Sequence, residues 1–224
     1  MIYPETVKAR FITRLNRFEA VVGTESGEET VHVKNTGRCR ELLLPGCDVI
    51  LAKSHNPGRK TAFDLIAVCK AGRGWINMDS QAPNKAVKEY LEKLDWFDEI
   101  IPEYRYGSSR IDFFLRKAQR RILLEIKGCT LETGGQGYFP DAPTSRGTRH
   151  LLELDHARQE GFESYIGFVI QINGIESVLP CGKIDPVFAD TFTEVTHRGV
   201  RVINFHCMVA PDLLVIADSK NPFI

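Results

Sequence analysis

Arg110-Ile111-Asp112-Phe113-Phe114-Leu115 and, further on, Leu124-Glu125-Ile126-Lys127 decide how the chain is read. Both are apolar runs of strand-forming residues. The polar link between them, with Arg116, Lys117, Gln119, Arg120 and Arg121, has the make-up of a hairpin tip. Side chains alternate faces along a strand, so Glu125 and Lys127 point the same way, and Asp112 joins them from the neighbouring strand. Two carboxylates and an ammonium on one patch of sheet suit a hard divalent cation with a phosphate beside it. The plainer alternative is a set of ion pairs within the sheet among Arg110, Asp112, Glu125 and Lys127. Against it stands the cost of placing charge inside otherwise apolar strands.

Working outward, residues 1–80 read as all-β. Short apolar runs at 11–22, 30–33, 47–52, 62–68 and 75–78 are separated by turn signals such as Ser26-Gly27, Asn35-Thr36-Gly37 and Pro45-Gly46. Five such strands suit a small barrel of the oligonucleotide-binding (OB) type. The pattern changes after Ser80. Ala86, Val87, Tyr90, Leu91 and Leu94 fall at helical spacing over 82–94. A run at 97–104 and the two strands quoted above follow. Residues 130–147, rich in Gly, Pro and Thr, read as a loop; 148–160 as a helix stopped by Gly161; 164–172 as a strand; 185–198 as a helix; 200–209 and 213–217 as strands. The expected fold is therefore α/β overall: an all-β OB-type barrel over 1–80, binding nucleic acid, and an α/β domain with a mixed sheet over 81–224.

The chain of 224 residues carries 29 Lys plus Arg against 29 Asp plus Glu, so net charge does not point to a polyanion partner. Any nucleic-acid surface must come from local clustering, and the first sixty residues, with ten basic against seven acidic, lean that way. Six scattered cysteines form no C-x-x-C pair, which argues against a zinc ribbon and fits reduced thiols in a cytoplasm. There is no signal-peptide core and no long apolar span, so a soluble, cytoplasmic protein is expected. Zinc-protease, P-loop and serine-hydrolase motifs are missing.

Phosphodiester hydrolysis needs an activated water, a clamp on the phosphate and help for the leaving alkoxide, and carboxylate-held metal ions supply all three. Asp112 and Glu125 fit the ligand requirement of Mg²⁺ or Mn²⁺, Lys127 the role of orienting water or stabilising the transition state, and Glu103 or Glu89 that of a further acid. Candidate contacts to nucleic acid are Arg110 beside the acids, Arg146, Arg149 and His150 near a helix start, Asn35, Thr36 and Arg38 in a barrel turn, and Arg14 and Arg17 with Phe18 on a barrel face. For each, a solvated or structural role is the alternative. DNA is the expected partner, with RNA and a homodimer left open.

Further ordered motifs give the chain a resemblance to a known family. They are Arg17-Phe18, the run Val33 to Arg38 (Val-Lys-Asn-Thr-Gly-Arg), Pro45-Gly46, Arg59-Lys60, Tyr106 to Phe113, Glu125-Ile126-Lys127, Phe139 to Ala142 and Thr144 to Leu151. Along nearly its whole length the chain resembles the sugar fermentation stimulation protein A family of bacteria and archaea. The resemblance implies an OB-type barrel joined to a domain similar to the PD-(D/E)xK nucleases. It puts Asp112, Glu125 and Lys127 in the nuclease triad, with Glu103 as a fourth member. It also implies DNA binding and a link to the regulation of sugar, especially maltose, metabolism, so a non-catalytic DNA-binding regulator is the alternative to a nuclease. The chain has Pro143 where the family pattern usually has Val, which bears on the path of that loop.

Overall fold

The computed structural model describes every residue except Thr36, Arg38, His55, Pro57, Asp218 and Ser219. The N-terminal part is a closed barrel. Strands β1 (Thr6–Arg14), β2 (Glu19–Thr24) and β3 (Gly27–Val33) form an antiparallel meander. Strand β4 (Asp48–Lys53) pairs with β1, and β5 (Phe63–Lys70) pairs with β4. A short parallel contact, His32 with Asp64 and Val33 with Leu65, joins β3 to β5 and closes the ring. Alternation fills the interior with Val22, Val31, Val49, Leu51, Leu65 and Val68, all fully buried.

Two details of the barrel differ from the sequence reading. The single strand expected over 11–22 is two strands, because the Asn16 side chain folds the backbone back, its Oδ1 accepting from the N–H groups of Phe18 (2.8 Å) and Glu19 (3.0 Å). Strand β6 (Gly74–Asn77), the fifth expected stave, pairs with β5 at the end away from the closure. It leads out of the barrel, bridging Ile76 to Ile172. A buried polar seam surrounds this crossing. Tyr3 Oη donates to Asp79 Oδ2 (3.1 Å), Asn77 Nδ2 to Tyr3 Oη (3.1 Å), and Gln171 Nε2 to Asn77 Oδ1 (2.9 Å).

The rest of the chain builds a three-layer α/β unit. Helix α1 (Ala82–Leu94) begins with a proline in its first turn, where no amide partner is lost, and ends at Asp95 in the left-handed region. Then come β7 (Glu99–Tyr106), β8 (Ser109–Lys117) and β9 (Arg120–Cys129), paired as an antiparallel meander. The stretch 130–147, expected to be loop, holds a small hairpin, β10 (Leu131–Thr133) and β11 (Gln136–Phe139), whose tip uses Gly134 and Gly135 at positive φ. Helix α2 (Ser145–Gln159) starts three residues earlier than expected because Thr144 caps it, accepting from Gly147 N–H (3.0 Å). Strand β12 (Glu163–Ile170) runs parallel to β9, β13 (Val178–Pro180) joins the small sheet, and after α3 (Pro186–His197) β14 (Arg201–Ala210) runs parallel to β12. Strand β15 (Leu213–Ile216) closes the mixed sheet in the order β15-β14-β12-β9-β8-β7. Helix α1 covers one face through Ala86, Val87, Tyr90 and Leu91; α2 and α3 cover the other through Leu151, Leu154, Phe188 and Val195. Among the described residues no helix is long and apolar enough to cross a membrane.

Candidate metal centre

Leu124 and Ile126 pack toward α1, so alternation turns Glu125 and Lys127 to the α2 face of β9. Glu125 is 2 % exposed. Its Oε1 accepts from Lys127 Nζ and from His150 Nδ1. Its Oε2 is buried and has no hydrogen-bond partner among the described residues. Helix α2 delivers His150, which is itself buried. One turn earlier Arg146 Nε donates to His150 Nε2 (3.3 Å). A guanidinium can only donate, so this contact assigns the imidazole proton to Nδ1, which points at Glu125.

Asp112 comes from the adjacent strand. The paired ladder of β8 and β9 runs up to Phe113–Leu124, and beyond it Asp112 Oδ2 accepts from Ile126 N–H (2.7 Å). Its Oδ1 accepts from Asn84 Nδ2 in the first turn of α1 (2.7 Å). Burial first, and then the charge on Glu125, push the Asp112 carboxyl up to about 6 against the pull of Lys127 and these hydrogen bonds. Burial alone would also raise Glu125, but the Lys127 charge and the hydrogen bonds from His150 and Lys127 outweigh it and hold that carboxyl below its ordinary value. Glu125 is thus the standing anion, and Asp112 the group that feels it.

A buried carboxylate oxygen with no donor, beside a second carboxyl whose ionisation it opposes, is what a bound cation would relieve. The donor set fits a hard divalent ion. Among the described residues no three His, Cys, Asp or Glu side chains converge to enclose a metal by themselves. Two carboxylates with remaining positions left to water and substrate is the arrangement Mg²⁺ prefers.

The other expected site residues spread around this centre. Glu103 lies on β7 between the pairs Pro102–Phe113 and Tyr104–Ile111, opposite Asp112; it is exposed, and its φ of 53° is in the left-handed region. Glu89 sits on α1 in an ion pair with the N-terminal ammonium, away from the acids. Arg110 is exposed at the start of β8, and Arg149 lines a shallow cleft with Tyr106, Ser108 and Glu153. Arg14 and Arg17 belong to a separate cleft of about 880 Å³ between the barrel and the α/β unit, with Gly37, Arg40 and Asp141. The Arg14 guanidinium is engaged with backbone, donating to the carbonyls of Asn16, Arg17, Asn35 and Gly37 at 2.7–3.1 Å. Asn35 braces the same loop, accepting from Gly37 N–H (2.7 Å) and donating to the Met78 carbonyl (3.2 Å). Thr36 and Arg38 lie outside the described residues. A smaller polar cavity of about 160 Å³, bounded by Asn35, Ser80, Asp141 and Gln171, reaches Pro83 and Gly128, the chain neighbours of Asn84 and Lys127. Sequence reasoning missed Asn84, a polar residue in a helix start with no signal of its own.

Residues 81–213 match the family model described as the sugar fermentation stimulation protein RE domain, and 12–78 match the SfsA N-terminal OB domain. The chain belongs to the sugar fermentation stimulation protein family. A sugar fermentation stimulation protein homolog of Ruminiclostridium cellulolyticum is 44% identical over 219 residues, 96% of each chain. Another from Desulfitobacterium hafniense is 44% identical over 221 residues, 97% of this chain and 96% of that one. The solved structure of Pyrococcus furiosus SfsA in complex with Ca²⁺ aligns with a TM-score of 0.84 at 26% identity, covering 97% of this chain and 95% of that one. The N-terminal barrel is accordingly of the OB type, joined to an α/β unit with a mixed sheet.

Proposed function

We propose that this member of the family is a divalent-metal-dependent nuclease that hydrolyses phosphodiester bonds in DNA. On this reading residues 81–224 form a PD-(D/E)xK-type domain that cuts, and residues 1–80 hold the nucleic acid. The observation that carries it is the buried, donorless Oε2 of Glu125 beside Asp112. An anionic oxygen kept from water with nothing to pair with is costly, and a pure phosphate binder has no use for carboxylates where phosphates must approach. The Ca²⁺ held by the Pyrococcus relative, also an oxygen-seeking divalent ion, supports the same assignment.

Asp112 and Glu125 would hold Mg²⁺ or Mn²⁺. Bound there, such an ion activates water and draws charge from the phosphate. The chain's own groups do the rest. His150, steadied by Arg146, and Lys127 fix the Glu125 carboxylate in one orientation. The Lys127 side chain, 15% exposed, keeps its ammonium at the edge of the site, where it stabilises negative charge building on the phosphate. Asp112 gives up its proton as the pH passes about 6 or as a cation arrives.

The test is incubation of the purified protein with single- and double-stranded DNA and RNA in Mg²⁺, Mn²⁺ or EDTA, alongside Asp112→Ala and Lys127→Ala. Cleavage of DNA by the metal-replete parent protein alone supports the reading. Binding without cleavage in every metal would replace it with a DNA-binding regulator.

A further inference from the structure

The two ends of the β7–β8 ladder carry charged cross-strand pairs of opposite design. At one end Glu99 faces Arg116, and the two form an ion pair at 3.1 Å. At the other end Arg105 faces Arg110. Like charges placed directly across a sheet destabilise it, so this second pair works against the fold that carries it. Both arginines are exposed, and among the described residues neither makes an ion pair or a side-chain hydrogen bond. The acids of this turn belong to α2 and its end, on the face that Tyr106 and Ser109 share and the arginines do not. Glu153 accepts from Ser108 Oγ (3.2 Å) and Ser109 Oγ (2.7 Å), and Glu160 from Tyr106 Oη (2.8 Å). Arg149 lines the cleft of about 430 Å³ on the α2 side of this hairpin turn, the face from which Arg105 and Arg110 point away. Arg110 stands two residues from Asp112, the spacing that puts strand side chains on one face.

We infer that Arg105 and Arg110 form a clamp for a backbone phosphate of the nucleic acid, next to the one being cut. This inference rests on the nuclease reading and adds a direction to it: the strand leaves the carboxylates along the β7–β8 turn. A phosphate between the two guanidiniums converts their repulsion into two charge-assisted contacts, for which arginine's fork is suited.

The experiment measures binding of a labelled duplex oligonucleotide in EDTA across a salt series. It compares the parent protein with Arg105→Ala, Arg110→Ala, the double variant and Arg116→Ala, which removes equal charge from the paired end of the same ladder. Each lost phosphate contact should lower the slope of log affinity against log salt by about 0.9. The double variant should therefore lose about 1 to 2 units of slope and roughly ten-fold in affinity at low salt, while Arg116→Ala keeps the parent slope. Circular dichroism should show the Arg105→Ala fold at least as heat-resistant as the parent, since a repulsion has gone. A parent-like slope in the double variant, or an equal loss in Arg116→Ala, overturns the clamp and leaves the cleavage result untouched. A parent protein that binds no nucleic acid in EDTA overturns the clamp, and one that also leaves DNA uncut in Mg²⁺ and Mn²⁺ overturns both.

Discussion

Asp112→Asn should make the metal-free protein more stable at neutral pH while removing a ligand of the proposed metal site. In the fold the Asp112 carboxyl titrates at about 6 instead of its ordinary 3.8, so the native state holds this proton more tightly than the unfolded chain. The stability it contributes is fully present below about pH 4 and is lost as pH rises through about 6. A shift of about two units corresponds to about 3 kcal/mol. Asparagine has no proton to lose. It can still accept from Ile126 N–H, and Asn84 can turn its amide to accept in return, so both local contacts survive. Urea unfolding in EDTA should therefore show the two proteins alike at about pH 4 and the variant ahead by about 1–3 kcal/mol at about pH 8. Added Mn²⁺ should stabilise the parent protein and not the variant. A variant less stable at about pH 8, or a gap that does not vary with pH, would show that Asp112 is not held against its own ionisation.

Three further outcomes follow from the same geometry. Calorimetric Mn²⁺ affinity should fall steeply as the pH drops through about 6, because Asp112 then carries a proton; a flat profile between about pH 5 and 8 would remove it from the ligand set. Glu125→Gln leaves the Lys127 ammonium, mostly buried, without its anion and should cost about 3 kcal/mol in urea unfolding, against nearly nothing for Glu103→Gln on the exposed edge. Thr144→Ala removes the cap of α2 and should cost about 1 kcal/mol. It should weaken Mn²⁺ binding too, since that helix carries His150 to Glu125; unchanged binding would make the helix start irrelevant to the site.

The centre was legible where the information is local. Period-two alternation alone puts Glu125 and Lys127 on one face, and the hairpin between β8 and β9 brings Asp112 alongside. The partners that set the electrostatics were less so. His150 could be flagged as a histidine near a helix start, but its contact with Glu125 depends on how α2 crosses the sheet. Asn84 arrives from a helix on the other side of it. The barrel was readable from its turn residues except where a side chain made the turn, as Asn16 does. Arg14 shows the limit of reading charge as surface, since its guanidinium braces four carbonyls of neighbouring loops.

The seam of Tyr3, Asn77, Asp79 and Gln171 has a mechanical meaning. Its hydrogen bonds are shielded from water and tie three separate stretches of chain, so prising the two halves apart would strand several polar groups at once. The joint is a weld. The span from the arginine-lined cleft to the carboxylates is then a fixed gauge, and a polymer laid across it must supply the bending itself.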